Sequence, residues 1–228
     1  MRMALLADIH ANLPAFKAVL QDLEKKKITQ IFHAGDIVGY NPFPNECVEL
    51  VRRHKIESVK GNHDNAVITG DTSCFNPVAA EGIDWTVCEI SGRNKKFLEQ
   101  LPLSLSFKSS GLRVKIVHGS PDNHLEEYVF LLGFSKKRLK AFVKDCDILV
   151  LGHTHIPMLI NIAGKIIVNP GSVGQPRDGD CRASYAVLDT EKPGVENCKV
   201  GYDVQRTAKA VREAGLPEEL AERLFTGW

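Results

Sequence analysis

Every short apolar run in the first two thirds of this chain ends in a small cluster of polar, hydrogen-bonding residues. Met3 to Ala7 runs into Asp8 and His10, Ile31 to Ala34 into Gly35-Asp36, and Ile56 to Lys60 into Gly61-Asn62-His63-Asp64. Later, Leu112 to Val117 meets His118, and Ile148 to Leu151 meets Gly152-His153-Thr154-His155. Amphipathic segments separate the first three runs. Phe16, Val19, Leu20 and Leu23 fall at i, i+3, i+4 and i+7 behind a capping Asn12 and a first-turn Pro14, and Pro44 to His54 places Val48 and Val51 on one face. The order strand, helix, strand, helix, strand predicts a parallel sheet with right-handed crossovers. In an open sheet of this kind the strand carboxyl ends share one edge, where ligand crevices form. Five polar clusters at five strand ends therefore predict one site.

Downstream, Asn65 to Leu101 reads as two helices parted near Ser91-Gly92, and Leu103 to Phe107 with Leu112 to Val117 reads as a hairpin around Ser109-Ser110-Gly111. Ser135 to Asp145 is a basic amphipathic helix. From Met158 the texture turns to strands, at Met158 to Ile162, Lys165 to Val168, Ser184 to Leu188 and Cys198 to Tyr202, before a helical tail from Val204 to Leu224. No repeat or long linker divides the chain, so residues 1–228 are expected to form a single domain holding two sheets. Its 43% apolar and 25% charged residues supply a sizeable core and exclude disorder.

Charge narrows the partners. Twenty-nine Lys plus Arg against 28 Asp plus Glu leave a net charge of +1, and the basic runs Lys25 to Lys27, Arg93 to Lys96 and Lys136 to Arg138 are scattered among acids. Solvated helix faces explain them better than a nucleic-acid track. No apolar run approaches the ~20 residues that cross a bilayer, and Asp8 comes too early for a signal peptide. A cytoplasmic chain acting on a small molecule is expected, with homo-oligomerisation left open. The six cysteines form no Cys-x-x-Cys pair and read as reduced packing thiols.

Asp, His and Asn, with no Cys among them, are oxygen and imidazole donors suited to Mn, Fe, Zn, Ni or Co. Taken singly, a polar residue after a strand is a turn or cap residue. Seven compatible donors at successive strand ends make a different pattern, and they suffice for two metals. A carboxylate such as Asp36 can bridge two ions, and paired ions clamp the attacking and leaving oxygens of an in-line displacement. This is machinery for phosphate-ester hydrolysis.

Asp8-Ile9-His10, Gly35-Asp36-Ile37-Val38-Gly39, Gly61-Asn62-His63-Asp64, His118 and Gly152-His153-Thr154-His155 together resemble the calcineurin-like metallophosphoesterases, in family order, over about residues 1 to 175. Asp8 to Leu13, Gly35 to Tyr40 and Asn169 to Arg177 look like the small stand-alone bacterial and archaeal phosphodiesterases, a branch related to diadenosine tetraphosphatases. The resemblance implies a four-layer α/β/β/α sandwich of two mixed sheets. It implies two divalent ions, manganese foremost for activity, the first held by Asp8, His10, Asp36 and His155 and the second by Asp36, Asn62, His118 and His153. A bridging hydroxide would attack phosphorus. His63 would protonate the leaving oxygen or steady the transition state, with Asp64 orienting it.

Three more residues are candidate substrate contacts. Asn12 could meet a phosphate oxygen, cap the first helix, or both. Arg177 is a phosphate clamp or an exposed loop arginine, and Tyr40 faces a nucleobase or simply packs. The resulting expectation is a two-metal phosphoesterase, with diesters and dinucleoside polyphosphates ahead of monoesters. A nuclease on the same centre and a metal-loaded scaffold without turnover are the alternatives.

Overall fold

A computed structural model describes residues 1–130 and 132–228. The first third alternates as expected, through β1 (Arg2–Leu6), α1 (Leu13–Lys25), β2 (Ile31–His33), α2 (Pro44–Arg53) and β3 (Glu57–Ser58). The three strands lie side by side and parallel. Asn12 caps α1 by accepting the Ala15 N–H at 3.2 Å, and Pro14 occupies the first turn, where a missing donor costs nothing.

Next come α3 (Asn62–Thr69), α4 (Pro77–Glu89) and α5 (Gly92–Glu99), three helices where the sequence pattern predicts two. Gly70 ends α3 in the left-handed conformation at φ 73°, and Asn76 caps a fresh start at Pro77. The hairpin β4 (Ser104–Ser109) and β5 (Leu112–Val117) is antiparallel, and α6 (Lys136–Phe142) leads to β6 (Ile148–Val150). Then follow β7 (Met158–Ile162), β8 (Lys165–Asn169), β9 (Ala183–Asp189) and β10 (Gly194–Val200). The tail, expected as one helix, is two, α7 (Val204–Glu213) and α8 (Glu218–Thr226), because Gly215 turns left-handed and Pro217 restricts helix continuation.

Two five-stranded sheets result, ordered β10-β9-β1-β2-β3 and β4-β5-β6-β8-β7. Strand alternation sorts the core. Met3, Leu5 and Ala7 face the space between the sheets with Phe32, Val114, Ile116, Val150 and Val168, whereas Ala4 and Leu6 face Phe16, Val19 and Leu23 of α1. Beyond the second sheet, α6 lays Leu139 and Phe142 against Leu149, Ile160 and Ile167. The layers run helix, sheet, sheet, helix, as the α/β/β/α expectation requires. α7 and α8 form a further layer at one end, packing Val211, Leu220 and Leu224 with Ala79 and Tyr40. No helix among the described residues is long and apolar enough to cross a membrane.

The parallel strands of the two sheets position the site. β1, β2 and β3 are parallel within the first sheet, and β5, β6 and β8 within the second. Hydrogen bonds across the sheets, from His118 to the Ala34 carbonyl and from the His153 N–H to Asp8, join the carboxyl ends of both sets.

Candidate metal centre

The loops leaving β1 and β2 are zipped together by their backbones. The N–H groups of Asp8, His10 and Ala11 donate to the carbonyls of Gly35, Asp36 and Ile37 at 3.0, 3.0 and 2.8 Å. This pairing holds non-glycine residues in left-handed backbone, with φ of 56° at Asp8, 46° at His10 and 64° at Asp36, and the β6 loop does the same at His153 (69°) and His155 (60°). Such conformations cost on the order of 1 kcal/mol or more each and gather where function fixes geometry. Glycine makes the close approach possible. A Cβ on Gly61 would lie 2.0 Å from Asp36 Oδ1, and one on Gly39 would lie 2.5 Å from His63 Nδ1.

Three groups of donors converge, Asp8 with His10 and His155, Asp36 with His118 and His153, and, sharing members of both, His10 with Asp36 and His63. Within the first, His10 Nε2 and His155 Nε2 stand 3.0 Å apart, and Asp8 Oδ1 is 3.4 Å from His155 Nε2. Within the second, His118 Nε2 lies 3.2 Å from His153 Nδ1 and 2.9 Å from Asn62 Oδ1. Asp36 Oδ2 reaches toward both, 3.6 Å from His10 Nε2 and 3.3 Å from His118 Nε2.

The outward ring nitrogens reveal what the inward ones offer. His10 Nδ1 faces the Val38 carbonyl (3.1 Å), His118 Nδ1 that of Ala34 (2.8 Å), His155 Nδ1 that of Gln175 (2.6 Å) and His153 Nε2 that of Glu126 (3.2 Å). A carbonyl only accepts, so each outward nitrogen carries a proton, and the inward nitrogens of His10, His155 and His153 present lone pairs, whereas His118 Nε2 faces the acceptors Asn62 Oδ1 at 2.9 Å and Asp36 Oδ2 at 3.3 Å. The lone pairs of His10 Nε2 and His155 Nε2, aimed at one another across 3.0 Å, repel unless a cation lies between them.

Charge points the same way. Burial, reinforced by the Asp36 charge, pushes the Asp8 carboxyl up to about 8, and burial pulls His153 down to about 3, while His10 and His155 fall well below their ordinary value. Burial alone would lower His118 as well, yet the Asp36 and Asp8 charges carry it up to about 9. Asp8 Oδ2 is buried without a hydrogen-bond partner. Two buried carboxylates, one oxygen unpaired, among three imidazoles that burial keeps neutral and a fourth that the carboxylates hold charged, fit divalent cations.

The other sequence candidates fall in different places. His63 lines a cavity of about 250 Å³ over the donors, its ring against His10 (centroids 4.7 Å) and Tyr40 (4.4 Å) and its Nδ1 unpaired. Asp64, expected to orient His63, does not touch the His63 ring. Its carboxylate accepts the N–H groups of Asp36, Ile37, Val38 and Gly61 at 2.9 to 3.2 Å, bracing the Asp36 loop from below. Asn12 is fully buried and does not line the cavity. Its amide donates to the Gly174 carbonyl and the Tyr202 hydroxyl and accepts from Ala15 and Thr207, so the cap reading holds and a substrate contact has no free atom. Tyr40 is buried yet lines the cavity, and its hydroxyl accepts from Arg177 Nη2 at 3.1 Å. Arg177 itself lines the cavity.

Sequence reasoning missed Tyr128, stacked on His153 at 3.8 Å, and Arg223 of α8, both lining the same cavity. Tyr128 sits in a stretch with no periodicity, and Arg223 follows the pattern of an ordinary helix surface.

Comparison with known proteins agrees with this geometry. The family model for the calcineurin-like phosphoesterase superfamily domain matches residues 1–193. An uncharacterised protein of Methanocaldococcus jannaschii is 38% identical, over 98% of this chain and 97% of that one. The crystal structure of a metallophosphoesterase from Sphaerobacter thermophilus shares 37% identity and superposes with a TM-score of 0.85, covering 100% of this chain and 99% of that one. The YfcE phosphodiesterase of Escherichia coli is 26% identical, over 84% of this chain and 89% of its own. A family match that takes in every converging donor, on a fold shared end to end with a solved metallophosphoesterase, makes this chain a member of the calcineurin-like phosphoesterase superfamily, a metal-dependent phosphoester hydrolase.

Proposed function

We propose that the chain hydrolyses a small phosphate ester with two divalent ions, diesters and dinucleoside polyphosphates ahead of monoesters. One observation carries the reading: the two donor groups, Asp8–His10–His155 and Asp36–His118–His153, face each other across Asp36. Asp8, His10, Asp36 and His155 would hold one ion and Asp36, Asn62, His118 and His153 the other. When bound, paired ions polarise the phosphoryl oxygens and make a water acidic enough to attack phosphorus near neutral pH. Manganese is the metal to reconstitute first, since the donors are carboxylate, amide oxygen and imidazole.

The chain's own residues supply the rest. His63 faces the cavity without a hydrogen-bond partner on its ring among the described residues, which leaves it free for the leaving oxygen, as proton donor or as a fixed N–H dipole. Asp64 and Asn12 act as braces. Asp64 holds the Asp36 loop, and Asn12 ties α1 to the Gly174 loop and to α7. Tyr128 and Phe75 give the cavity two aromatic walls suited to an ester's organic group, in keeping with a relative named as a phosphodiesterase. We also read residues 1–228 as one domain, since β9 and β10 pair into the sheet begun by β1 and α8 covers Tyr40.

The test is a screen of manganese-reconstituted protein against p-nitrophenyl monoesters and diesters, cyclic nucleotides and dinucleoside polyphosphates. Turnover of diesters ahead of monoesters is expected. Turnover of monoesters alone would reverse the order, and none with any ester would remove the reading.

A further inference from the structure

The cavity over the metal donors is also lined by two cations. Arg177, from the loop after β8, and Arg223, from α8, both line it. Arg113, Arg138, Arg182 and Arg212 each pair with a carboxylate, on Asp147, Glu127, Asp180 and Glu218. Among the described residues Arg177 and Arg223 have no such partner. Arg177 donates through Nη2 to the Tyr40 hydroxyl at 3.1 Å and to Gln175 Oε1 at 2.9 Å, while its Nε is buried and unpaired. Arg223 donates from Nε to the Trp228 carbonyl at 2.9 Å, and its terminal amino groups make no hydrogen bond among the described residues. Burial and the neighbouring Arg177 charge pull the Arg223 guanidinium below its ordinary range. Two partly buried guanidinium groups without an Asp or Glu partner among the described residues gain from an arriving anion.

Packing keeps the pair in place. The Gly179 N–H, two residues past Arg177, donates to the Gly227 carbonyl at the end of α8 at 3.0 Å. A Cβ at Gly227 would lie 2.6 Å from the Asp180 backbone, so the helix end sits directly on the Arg177 loop. Leu220 and Leu224 seal α8 against Tyr40, whose hydroxyl holds Arg177. An anion site assembled in advance avoids the ordering cost of two long side chains.

We propose that Arg177 and Arg223 form an anion subsite beside the metal donors, and that the preferred ester carries a further phosphate in anhydride linkage to the one that is cleaved. The substrate class rests on the phosphoesterase reading above. Arg177 is held close to the donors: its backbone N–H donates to the His155 carbonyl at 3.2 Å, and its Cζ lies 5.8 Å from the centroid of the Tyr40 ring, which is itself 4.6 Å from that of His10. An adjoining phosphate would give the two guanidinium groups a partner that a simple nitrophenyl ester lacks. Arg223 lies beyond residue 193, so half of the subsite comes from outside the region that the family model matches.

The experiment uses the manganese-loaded full chain with two readouts. Imidodiphosphate, whose P–N–P bridge resists cleavage, and orthophosphate are titrated by calorimetry, and kcat/KM is measured for diadenosine tetraphosphate and bis-p-nitrophenyl phosphate. Arg223→Ala is expected to lower the imidodiphosphate-to-orthophosphate affinity ratio, and the polyphosphate-to-nitrophenyl kcat/KM ratio, by about tenfold or more. Arg223→Lys, which keeps the charge and loses the planar fork, is expected between parent and Ala, and it decides the matter should the Ala variant not fold. Ratios within about twofold of the parent in the variants that fold overturn the subsite. A parent that turns over no ester overturns the phosphoesterase reading instead, and the calorimetric ratio still decides the subsite.

Discussion

Asp36 stands where the two donor groups meet, and its loss should dismantle both. Asp36→Asn is expected to abolish turnover with every metal, a loss of at least about 100-fold, and to lower bound metal from about two ions per chain. Elemental analysis of purified protein checks this, and an unchanged stoichiometry would exclude a bridge. His63 differs because its ring is unpaired and burial pulls it down to about 4, which favours a neutral N–H donor over a freely charged acid. His63→Ala should keep its metal and lose about 10²–10⁴ in rate. If the ring delivers a proton, the loss shrinks for p-nitrophenyl esters, whose leaving group scarcely needs one. If the ring only stabilises charge, nitrophenyl and alkyl esters suffer alike. His33 of β2 is fully buried with both ring nitrogens unpaired, and burial holds it down to about 3. The unfolded chain protonates this ring below about 6.5 and the folded chain does not until about 3, so acid favours unfolding across that window by up to about 1.4 kcal/mol per pH unit. Above the window the ring is neutral in both states and contributes no pH dependence. His33→Leu should therefore flatten the acid side of the melting-temperature profile. Parallel profiles for parent and variant would sink this account.

At the scale of elements, the start of α3 does two jobs. Its first residues, Asn62 and His63, enter the site, while Asp64 turns under them and collects four backbone N–H groups, three from the Asp36 loop. Charge-assisted bonds of this kind are individually strong, so Asp64→Ala should cost about 3 kcal/mol or more, roughly 6–12 °C in Tm for a chain of this size. Metal affinity should fall with it, because the Asp36 loop loses its floor. A lower kcat with unchanged Tm and metal content would return Asp64 to His63. The same region shows why helix counts slip when read from sequence. The apolar pattern continues through residues 65–101, but Gly70 and the Asn76-Pro77 cap break it for local backbone reasons that periodicity does not register.

Across the whole molecule, Asn12 links the start of α1 to the Gly174 loop, to Tyr202 and to Thr207 of α7, partners up to 195 residues away. Asn12→Ala should leave several buried groups unpaired and cost about 2 kcal/mol, or roughly 4–8 °C in Tm. Thermal melts decide between this and a substrate contact, which would raise KM and leave Tm in place. The tie also locates the C-terminal helices, since α7 and α8 pack on each other and α8 carries Arg223 to the cavity.

The sequence by itself determined a parallel βαβαβ start, two sheets and the convergence of Asp8, His10, Asp36, Asn62, His118, His153 and His155, while the four-layer sandwich followed from the family resemblance. Alternating apolar runs specify buried strands, parallel order puts their carboxyl ends on one edge, and a polar residue just past a buried strand has no other place to go. Only the tertiary structure decided which imidazole nitrogen faces inward, because the carbonyls of Val38, Ala34, Gln175 and Glu126 that hold the outward ones belong to other loops. It alone moved Asp64 from His63 to the Asp36 loop, moved Asn12 from the cavity to α7, and brought Arg223 beside Arg177. These are hydrogen bonds and packing contacts between segments far apart in the chain. Periodicity records which face of a segment is buried and leaves unspecified the distant backbone group that meets it.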